Sequence, residues 1–162
     1  MKFNCQDFQE NYRDCTNCSE GKLVVAEENK RKYILQNPSK KKVCKVRIDG
    51  CLVHSQNQRK CDYLMIVCES KLANYQESDI YFIELKGRDL ISAVEQITQT
   101  INYFQTQKYK IMGKVFARVV LSKVVNPKSI EVDSRVIALR KLMKKLGGNF
   151  DYGSVQFEKD RI

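Results

Sequence analysis

The chain has 162 residues, of which 43% are apolar and 30% charged, and these proportions suit one globular domain with a substantial core. No run approaches the ~18 to 20 apolar residues that a membrane span needs, and the polar start, residues 1–15, lacks the apolar stretch of a signal peptide. We therefore expect a cytoplasmic protein that does not enter a membrane.

The net charge of +10 is distributed unevenly along the chain. Residues 30–60 carry ten Lys/Arg against one acidic residue, and residues 108–145 carry eleven against two. Residues 61–107 reverse this sign, with seven acidic residues against three basic ones. An acidic centre between two basic flanks is typical of a metal site within a surface that binds a polyanion, although Lys-rich surfaces also serve solubility alone.

The N-terminal third has the weakest pattern. Residues 1–20 are polar and predict an irregular segment. Residues 23–35 begin with the apolar run LVVA and predict a short strand that continues as a helix through EENKRKYIL, which Asn37-Pro38 ends.

The rest of the chain alternates strands with helices. Apolar or alternating runs predict strands at 43–48, 61–68, 80–87 and 114–123, with a further edge strand in the tail 150–157. Helical periodicity predicts one helix at 89–104 that begins at Asp89, and another at about 133–146 that begins at Asp133 or Ser134 and ends at Gly147-Gly148. We predict a single domain over 1–162 with its core at 43–145. Its class is α/β (α+β), with a central mixed sheet flanked by helices.

Charged residues stand at the ends of two strands that are otherwise apolar. Glu84 and Lys86 share one face at the end of IYFIELKG, with Leu85 on the other face, and Asp62 opens the apolar run CDYLMIVC. If these strands are neighbours, Asp62 and Glu84 converge. Two carboxylates provide the hard oxygen ligands that Mg²⁺ or Mn²⁺ prefers.

This order of residues resembles the PD-(D/E)xK nuclease superfamily, which includes restriction endonucleases and Holliday-junction resolvases. The resemblance covers residues 43–145 and implies a restriction-endonuclease-like core. It implies that Asp62, Glu84 and the carbonyl of Leu85 bind the metal and that Lys86 positions the attacking water. Glu95-Gln96-Ile97 resembles a resolvase segment, which implies that Gln96 supports the site.

The sequence departs from the family pattern at two points. Cys61 replaces the motif proline, and the upstream acid that many members use remains open between Glu27, Glu28 and Asp49.

The resemblance implies a Mg²⁺- or Mn²⁺-dependent hydrolase of phosphodiester bonds in DNA, structure-selective because no target-recognition domain is visible. The alternative is a catalytically weak nucleic-acid-binding module, or a nuclease-fold subunit of a defence or repair complex. DNA is favoured over RNA as the partner. Small nucleases of this kind often pair to cut two strands. The sequence therefore leaves both a homodimer and a monomer open. The residues expected to contact phosphates are Lys40, Lys41, Lys42, Arg140 and Lys144.

Seven cysteines are an odd number, which argues against a secreted disulfide framework. Four of them lie in or beside apolar runs, where a reduced cysteine acts as a small hydrophobic residue: Cys44, Cys51, Cys61 and Cys68. We therefore expect reduced, unpaired cysteines. The alternative is a zinc site that includes Cys5, Cys15 and Cys18.

Overall fold

The computed structural model describes residues 3–68, 78–85, 89–123 and 126–162. Its helices are α1 (Cys5–Asn11), α2 (Leu90–Thr106), α3 (Pro127–Glu131) and α4 (Ser134–Lys145). Its strands are β1 (Thr16–Ser19), β2 (Leu23–Glu28), β3 (Arg31–Gln36), β4 (Val43–Arg47), β5 (Tyr63–Val67), β6 (Ile80–Glu84), β7 (Val115–Leu121), β8 (Phe150–Ser154) and β9 (Gln156–Phe157).

In the described residues, six strands form a central mixed sheet in the order β1-β4-β5-β6-β7-β8. The pairs from β1 to β6 are antiparallel, whereas β6, β7 and β8 run parallel. Parallel neighbours need a crossover, and α2 supplies it between β6 and β7 while α3 and α4 supply it between β7 and β8. The predicted mixed α/β class with flanking helices is therefore confirmed.

Both faces of the central sheet are covered. Phe82 and Leu64 belong to a core that includes the buried residues of α2, whereas Ile83 and Met65 belong to a second core against β2 and β3. Strand alternation explains this division, because successive side chains point to opposite faces. Each site residue on β5 or β6 must therefore face either the helices or the small sheet β2-β3-β9.

The helix predicted within residues 23–35 is wrong. The segment is a hairpin in which Glu28 pairs with Arg31, and the two residues between them, Asn29 and Lys30, have φ values of 49° and 64°. Positive φ at both central residues is the geometry of a tight hairpin turn, and Asn tolerates it better than most residues. The polar pattern of EENKRK concealed this turn.

The prediction of an irregular N-terminal segment is also wrong. Asn4 caps α1 by accepting a hydrogen bond from the N–H of Asp7 at 2.8 Å, and β1 pairs with β4 at the edge of the central sheet. Phe3 and Phe8 are buried, and their rings pack edge-on and tilted, respectively, against the ring of Phe104 on α2. These few aromatic contacts attach the segment although most of its residues are polar.

The expectation of reduced cysteines is wrong for six of the seven. Disulfides join Cys5 to Cys68, Cys15 to Cys51 and Cys18 to Cys44, while Cys61 is buried and not disulfide-bonded. The sequence separations are 63, 36 and 26 residues, so only the fold shows which cysteines meet. Cys5, Cys15 and Cys18, the set considered for zinc, each bond a different partner.

The helix boundaries agree with the predicted caps. The Asp89 side chain accepts a hydrogen bond from the N–H of Ile91 at 2.9 Å, and Asp133 does the same for Arg135 at 2.8 Å. Gly147 follows α4 with φ of 84°, a conformation that glycine adopts without strain. Within the described parts of the chain, no helix combines the length and the apolar character that a membrane crossing requires.

A buried ion pair ties the C-terminal tail to the central sheet. The guanidinium of Arg118 on β7 donates to both carboxylate oxygens of Asp160, at 2.6 and 2.9 Å. The hydroxyl of Tyr33 on β3 donates to the same carboxylate at 2.7 Å. One carboxylate therefore holds the central sheet, the small sheet and the tail together.

We expect Asp160→Ala to lower the free energy of unfolding by about 3 kcal/mol, because it leaves the Arg118 charge buried without its ion-pair partner. Chemical denaturation monitored by circular dichroism measures this. Glu158→Ala, which removes an exposed carboxylate from the same tail, is the matched control and should change stability by no more than about 0.5 kcal/mol. Equal effects of the two substitutions would contradict this role for Asp160.

Candidate functional site

The two candidate metal-binding carboxylates lie across from each other on neighbouring strands. β5 pairs antiparallel with β6, with Tyr63 opposite Ile83 and Leu64 opposite Phe82. One further step of the same register places Asp62 opposite Glu84. Directly opposed residues share a face, with Cβ atoms about 4.5 to 5.5 Å apart. The predicted convergence of Asp62 and Glu84 follows from this register.

Both carboxylates are buried, with Asp62 2% and Glu84 0% exposed. The Leu85 N–H donates to Asp62 Oδ2 at 2.8 Å, and the Ile48 N–H donates to the Asp62 carbonyl at 2.9 Å. Backbone groups on both neighbouring strands therefore fix the position of Asp62. Backbone donors change position less than surface side chains do, so this carboxylate is well placed before any ligand binds.

Helix α2 holds the segment that leads into Asp62. The Thr100 hydroxyl accepts a hydrogen bond from the Cys61 N–H at 2.8 Å and donates to the Gln96 carbonyl at 2.7 Å. The side-chain amide of Gln96 lies 3.5 Å from the Lys60 carbonyl oxygen. Residues four apart share a helix face, so Gln96 and Thr100 together pack against residues 60 and 61. Gln96 therefore lies beside the segment that carries Asp62.

The pKa of the Cys61 thiol reflects the burial of the site and its negative charge. Burial raises the pKa of its thiol well above the usual range, and the negative charge of Glu84 is the next largest cause. Asp62 adds to this increase, while the hydrogen bond with Thr100 opposes it. The raised pKa favours the protonated thiol near neutral pH and disfavours a thiolate nucleophile at this position.

A guanidinium approaches the site from the opposite face of the sheet. Nη1 of Arg31, on β3, donates to the Leu85 carbonyl at 2.8 Å. This carbonyl is the one that the family resemblance assigns to the metal. Sequence reasoning missed Arg31 because it placed this residue in a helix, and no local signal linked it to Glu84.

The three candidates for the upstream acid differ in location. Glu28 lies opposite Arg31 in the β2–β3 register, and Asp49 follows Ile48 and lies 3.7 Å from the Lys60 ammonium. Both acids lie on segments that contact the site. The Glu27 carboxylate is 53% exposed and lies 3.9 Å from Lys32 Nζ.

Lys86 lies outside the described residues. It follows directly after Leu85, whose N–H contacts Asp62. Its predicted role therefore stays a prediction that depends on sequence position.

The predicted phosphate contacts do not form one surface around the carboxylates. Lys40, Lys41 and Lys42 are exposed in the loop before β4, and the Lys42 carbonyl accepts a hydrogen bond from the Cys68 N–H. Asp62 and Cys68 bracket β5, and six residues of strand span about 20 Å. The lysine loop therefore lies at the far end of the sheet.

The two predicted contacts on α4 differ in their surroundings. Arg140 pairs with Glu131 at 2.7 Å, donates to the Phe150 carbonyl and lies over the Phe150 ring, so its guanidinium holds the fold together. Lys144 is exposed in the last turn of α4. Of these two residues, Lys144 is the one whose charge faces solvent.

A cavity that sequence reasoning missed lies between α2 and α4. It has a volume of about 470 Å³, and its lining includes Arg59, Glu95, Gln99 and Arg135. Glu95 pairs with both arginines, with Arg135 at 3.1 Å. Arg59 is three residues before Asp62 in the sequence, and the carboxylate of Glu95 offsets the positive charge of the two arginines in this cavity.

Comparisons of the chain with protein-family models, with curated proteins and with solved structures found no match. The interpretation of the site therefore depends on its own geometry and on the motif resemblance.

We expect Thr100→Val to lower the free energy of unfolding by about 2 kcal/mol, because the buried Cys61 N–H loses its acceptor. Thr98→Val is the matched control. Thr98 lies on the same helix and its hydroxyl bonds only the Val94 carbonyl among the hydrogen bonds observed, so we expect a change within about 0.5 kcal/mol. Urea denaturation of both variants measures this. A Thr98→Val effect as large as that of Thr100→Val would show that Thr100 does not hold the strand.

Proposed function

We propose that this chain is a divalent-metal-dependent nuclease that hydrolyses phosphodiester bonds in DNA. The observation that carries the proposal is the opposition of Asp62 and Glu84 across β5 and β6, with both side chains buried. Burial of two negative charges together is costly unless cations or hydrogen-bond donors offset it. In this proposal a bound divalent cation contributes to that compensation.

The donor set fits Mg²⁺ or Mn²⁺. Asp62 and Glu84 supply carboxylate oxygens and Leu85 supplies a carbonyl oxygen, and hard divalent cations prefer all three. When bound, such an ion polarises a phosphoryl oxygen and lowers the pKa of a bound water. In this proposal Asp62 and Glu84 hold the ion, Lys86 positions the water, and Gln96 and Thr100 keep Asp62 in place.

The broader features of the proposal rest on the fold and on charge. The central mixed sheet has an acid directly before β5 and Glu-x-Lys beginning at the last residue of β6, and an amphipathic helix follows. This arrangement is consistent with a restriction-endonuclease-like core. Exposed lysines such as Lys144 are proposed to contact the phosphate backbone, whereas Arg59 and Arg135 are both ion-paired with Glu95. A cytoplasmic location, a preference for DNA structure over sequence, and pairing into a homodimer belong to the same proposal.

One observation favours the alternative of a catalytically weak nucleic-acid-binding module. The Arg31 guanidinium already contacts the Leu85 carbonyl, so it places positive charge beside one of the three oxygens proposed to bind the metal. A cation of this kind can stabilise the carboxylates without supporting hydrolysis. Divalent-metal dependence of cleavage separates the two candidates.

We expect Glu84→Gln and Lys86→Ala each to reduce DNA cleavage by about a hundred-fold or more, because each removes a group that acts on the metal or the water. The substrates are plasmid, linear duplex, four-way junction, single-stranded DNA and RNA, tested with Mg²⁺, with Mn²⁺ and with chelator. Glu158→Gln and Lys159→Ala, both on the exposed tail, are the matched controls. Binding without cleavage in either metal would favour the binding module, and cleavage that survives both site substitutions would refute the assigned residues.

We expect Arg31→Ala to strengthen Mn²⁺ binding by about ten-fold, because it removes a positively charged competitor for the Leu85 carbonyl. Isothermal titration calorimetry without nucleic acid measures the dissociation constant. Arg47→Ala is the control, because it removes a guanidinium of β4 whose Nε donates to the Asp49 carbonyl. If the Arg31→Ala variant binds Mn²⁺ no more tightly than the wild type does, Arg31 does not compete with the metal.

A further inference from the structure

Two of the disulfides lie side by side at the end of the sheet remote from the carboxylates. The sulfur atoms of Cys44 and Cys68 belong to different disulfides and are 3.5 Å apart. The sulfurs of Cys5, Cys44 and Cys68 all lie within 4.8 Å of one another. Cys18 is bonded to Cys44, so four sulfurs form one group, which we call the sulfur cluster.

The members of the sulfur cluster come from four separate elements. Cys5 lies on α1, Cys18 on β1 and Cys44 on β4, and Cys68 follows β5. Four thiolates around one tetrahedral ion, with metal–sulfur bonds of about 2.3 Å, have sulfurs about 3.8 Å apart. The 3.5 Å separation of Cys44 and Cys68 already approaches this spacing. After reduction, rotation about each Cα–Cβ bond moves the remaining sulfurs without a change in the backbone.

The charge around the sulfur cluster suits an anionic metal site. The Cys68 N–H donates to the Lys42 carbonyl at 2.8 Å, so the lysine loop, Lys40–Lys42, is next to the cluster. The buried Asn37 fixes this loop by two hydrogen bonds with the backbone of Lys41, at 2.7 and 2.9 Å. A divalent ion with four thiolates has a net charge of −2, and the lysine loop carries three positive charges on the segment next to it, with Lys42 Nζ donating to Gln9 Oε1 at 3.0 Å. Two disulfides are uncharged and do not require a compensating positive charge.

We propose that, when these two disulfides are reduced, Cys5, Cys18, Cys44 and Cys68 bind one soft divalent cation of the zinc class. Each disulfide takes two electrons and two protons from one molecule of a dithiol reductant, which is oxidised to its own disulfide. The four resulting thiols release four protons as the ion binds four thiolates. A reducing compartment such as the cytosol keeps thiols reduced and would favour the metal-bound form over the disulfides.

The sulfur cluster is independent of the proposed nuclease activity. Its two disulfides hold α1 and β1 against β4 and β5. In the metal-bound form, one ion with four thiolate ligands would hold these elements together instead. The outcome of a metal titration at this cluster therefore does not depend on whether the chain cleaves DNA.

The test uses the full chain, reduced with a phosphine under anaerobic conditions, freed of phosphine and titrated with Co²⁺ and then with Zn²⁺. We expect one Co²⁺ per chain, with the intense visible absorption of a tetrahedral site and thiolate-to-cobalt charge-transfer bands. Zn²⁺ should displace it at one equivalent. Failure to bind Co²⁺ at this stoichiometry, or binding without the thiolate bands, would overturn the proposal.

Cysteine-to-serine variants test which cysteines bind the ion. Cys44→Ser and Cys18→Ser should each weaken Zn²⁺ binding at least about a hundred-fold, and circular dichroism identifies any variant that fails to fold. Cys18 is half-buried, so its substitution disturbs packing less than that of the buried Cys44. The double variant Cys15→Ser, Cys51→Ser removes the remaining disulfide and should still bind one ion. Wild-type affinity in folded Cys18→Ser and Cys44→Ser, or loss of binding in the folded double variant, would contradict the assignment.

Discussion

The register of β5 against β6 determines where the buried charge of this protein lies. Leu64 opposes Phe82 and Tyr63 opposes Ile83, so the next pair is Asp62 and Glu84. A slip of one residue would move every side chain of one strand to the other face and separate the carboxylates. Apolar side chains on both faces of these strands prevent such a slip, because each face packs into its own core.

The two faces of the sheet contribute different groups to the site. From the helix face, Thr100 binds the backbone just before Asp62, and Gln96 lies beside the same segment. From the face covered by the small sheet, Arg31 reaches the Leu85 carbonyl. The site therefore depends on the small sheet as well as on the central one. The Arg118–Asp160 ion pair, which joins these two sheets, contributes to its integrity through the fold.

Local sequence signals predicted the parts of the fold that depend on local physics. The apolar periodicity of α2 and the Asp89 cap gave the helix, and the apolar run IYFI gave the buried strand that ends at Glu84. The shared face of Glu84 and Lys86 stays a prediction, because Lys86 lies outside the described residues. The hairpin at Asn29-Lys30 was missed because its strands are polar at the turn. The disulfides were missed because pairing depends on the fold, which brings together residues up to 63 positions apart. Thr100 had a detectable signal, since it is four residues after Gln96, but Arg31 had none.

The position of a bound manganese ion would show whether Asp62 and Glu84 are metal ligands. Crystals soaked in Mn²⁺ and measured at the manganese absorption edge would show the ion by its anomalous scattering. We expect a peak between the carboxylates of Asp62 and Glu84, at about 2.0 to 2.6 Å from an oxygen of each. An ordered site with no peak there, at a Mn²⁺ concentration that supports cleavage, would contradict the assignment of these two residues as metal ligands.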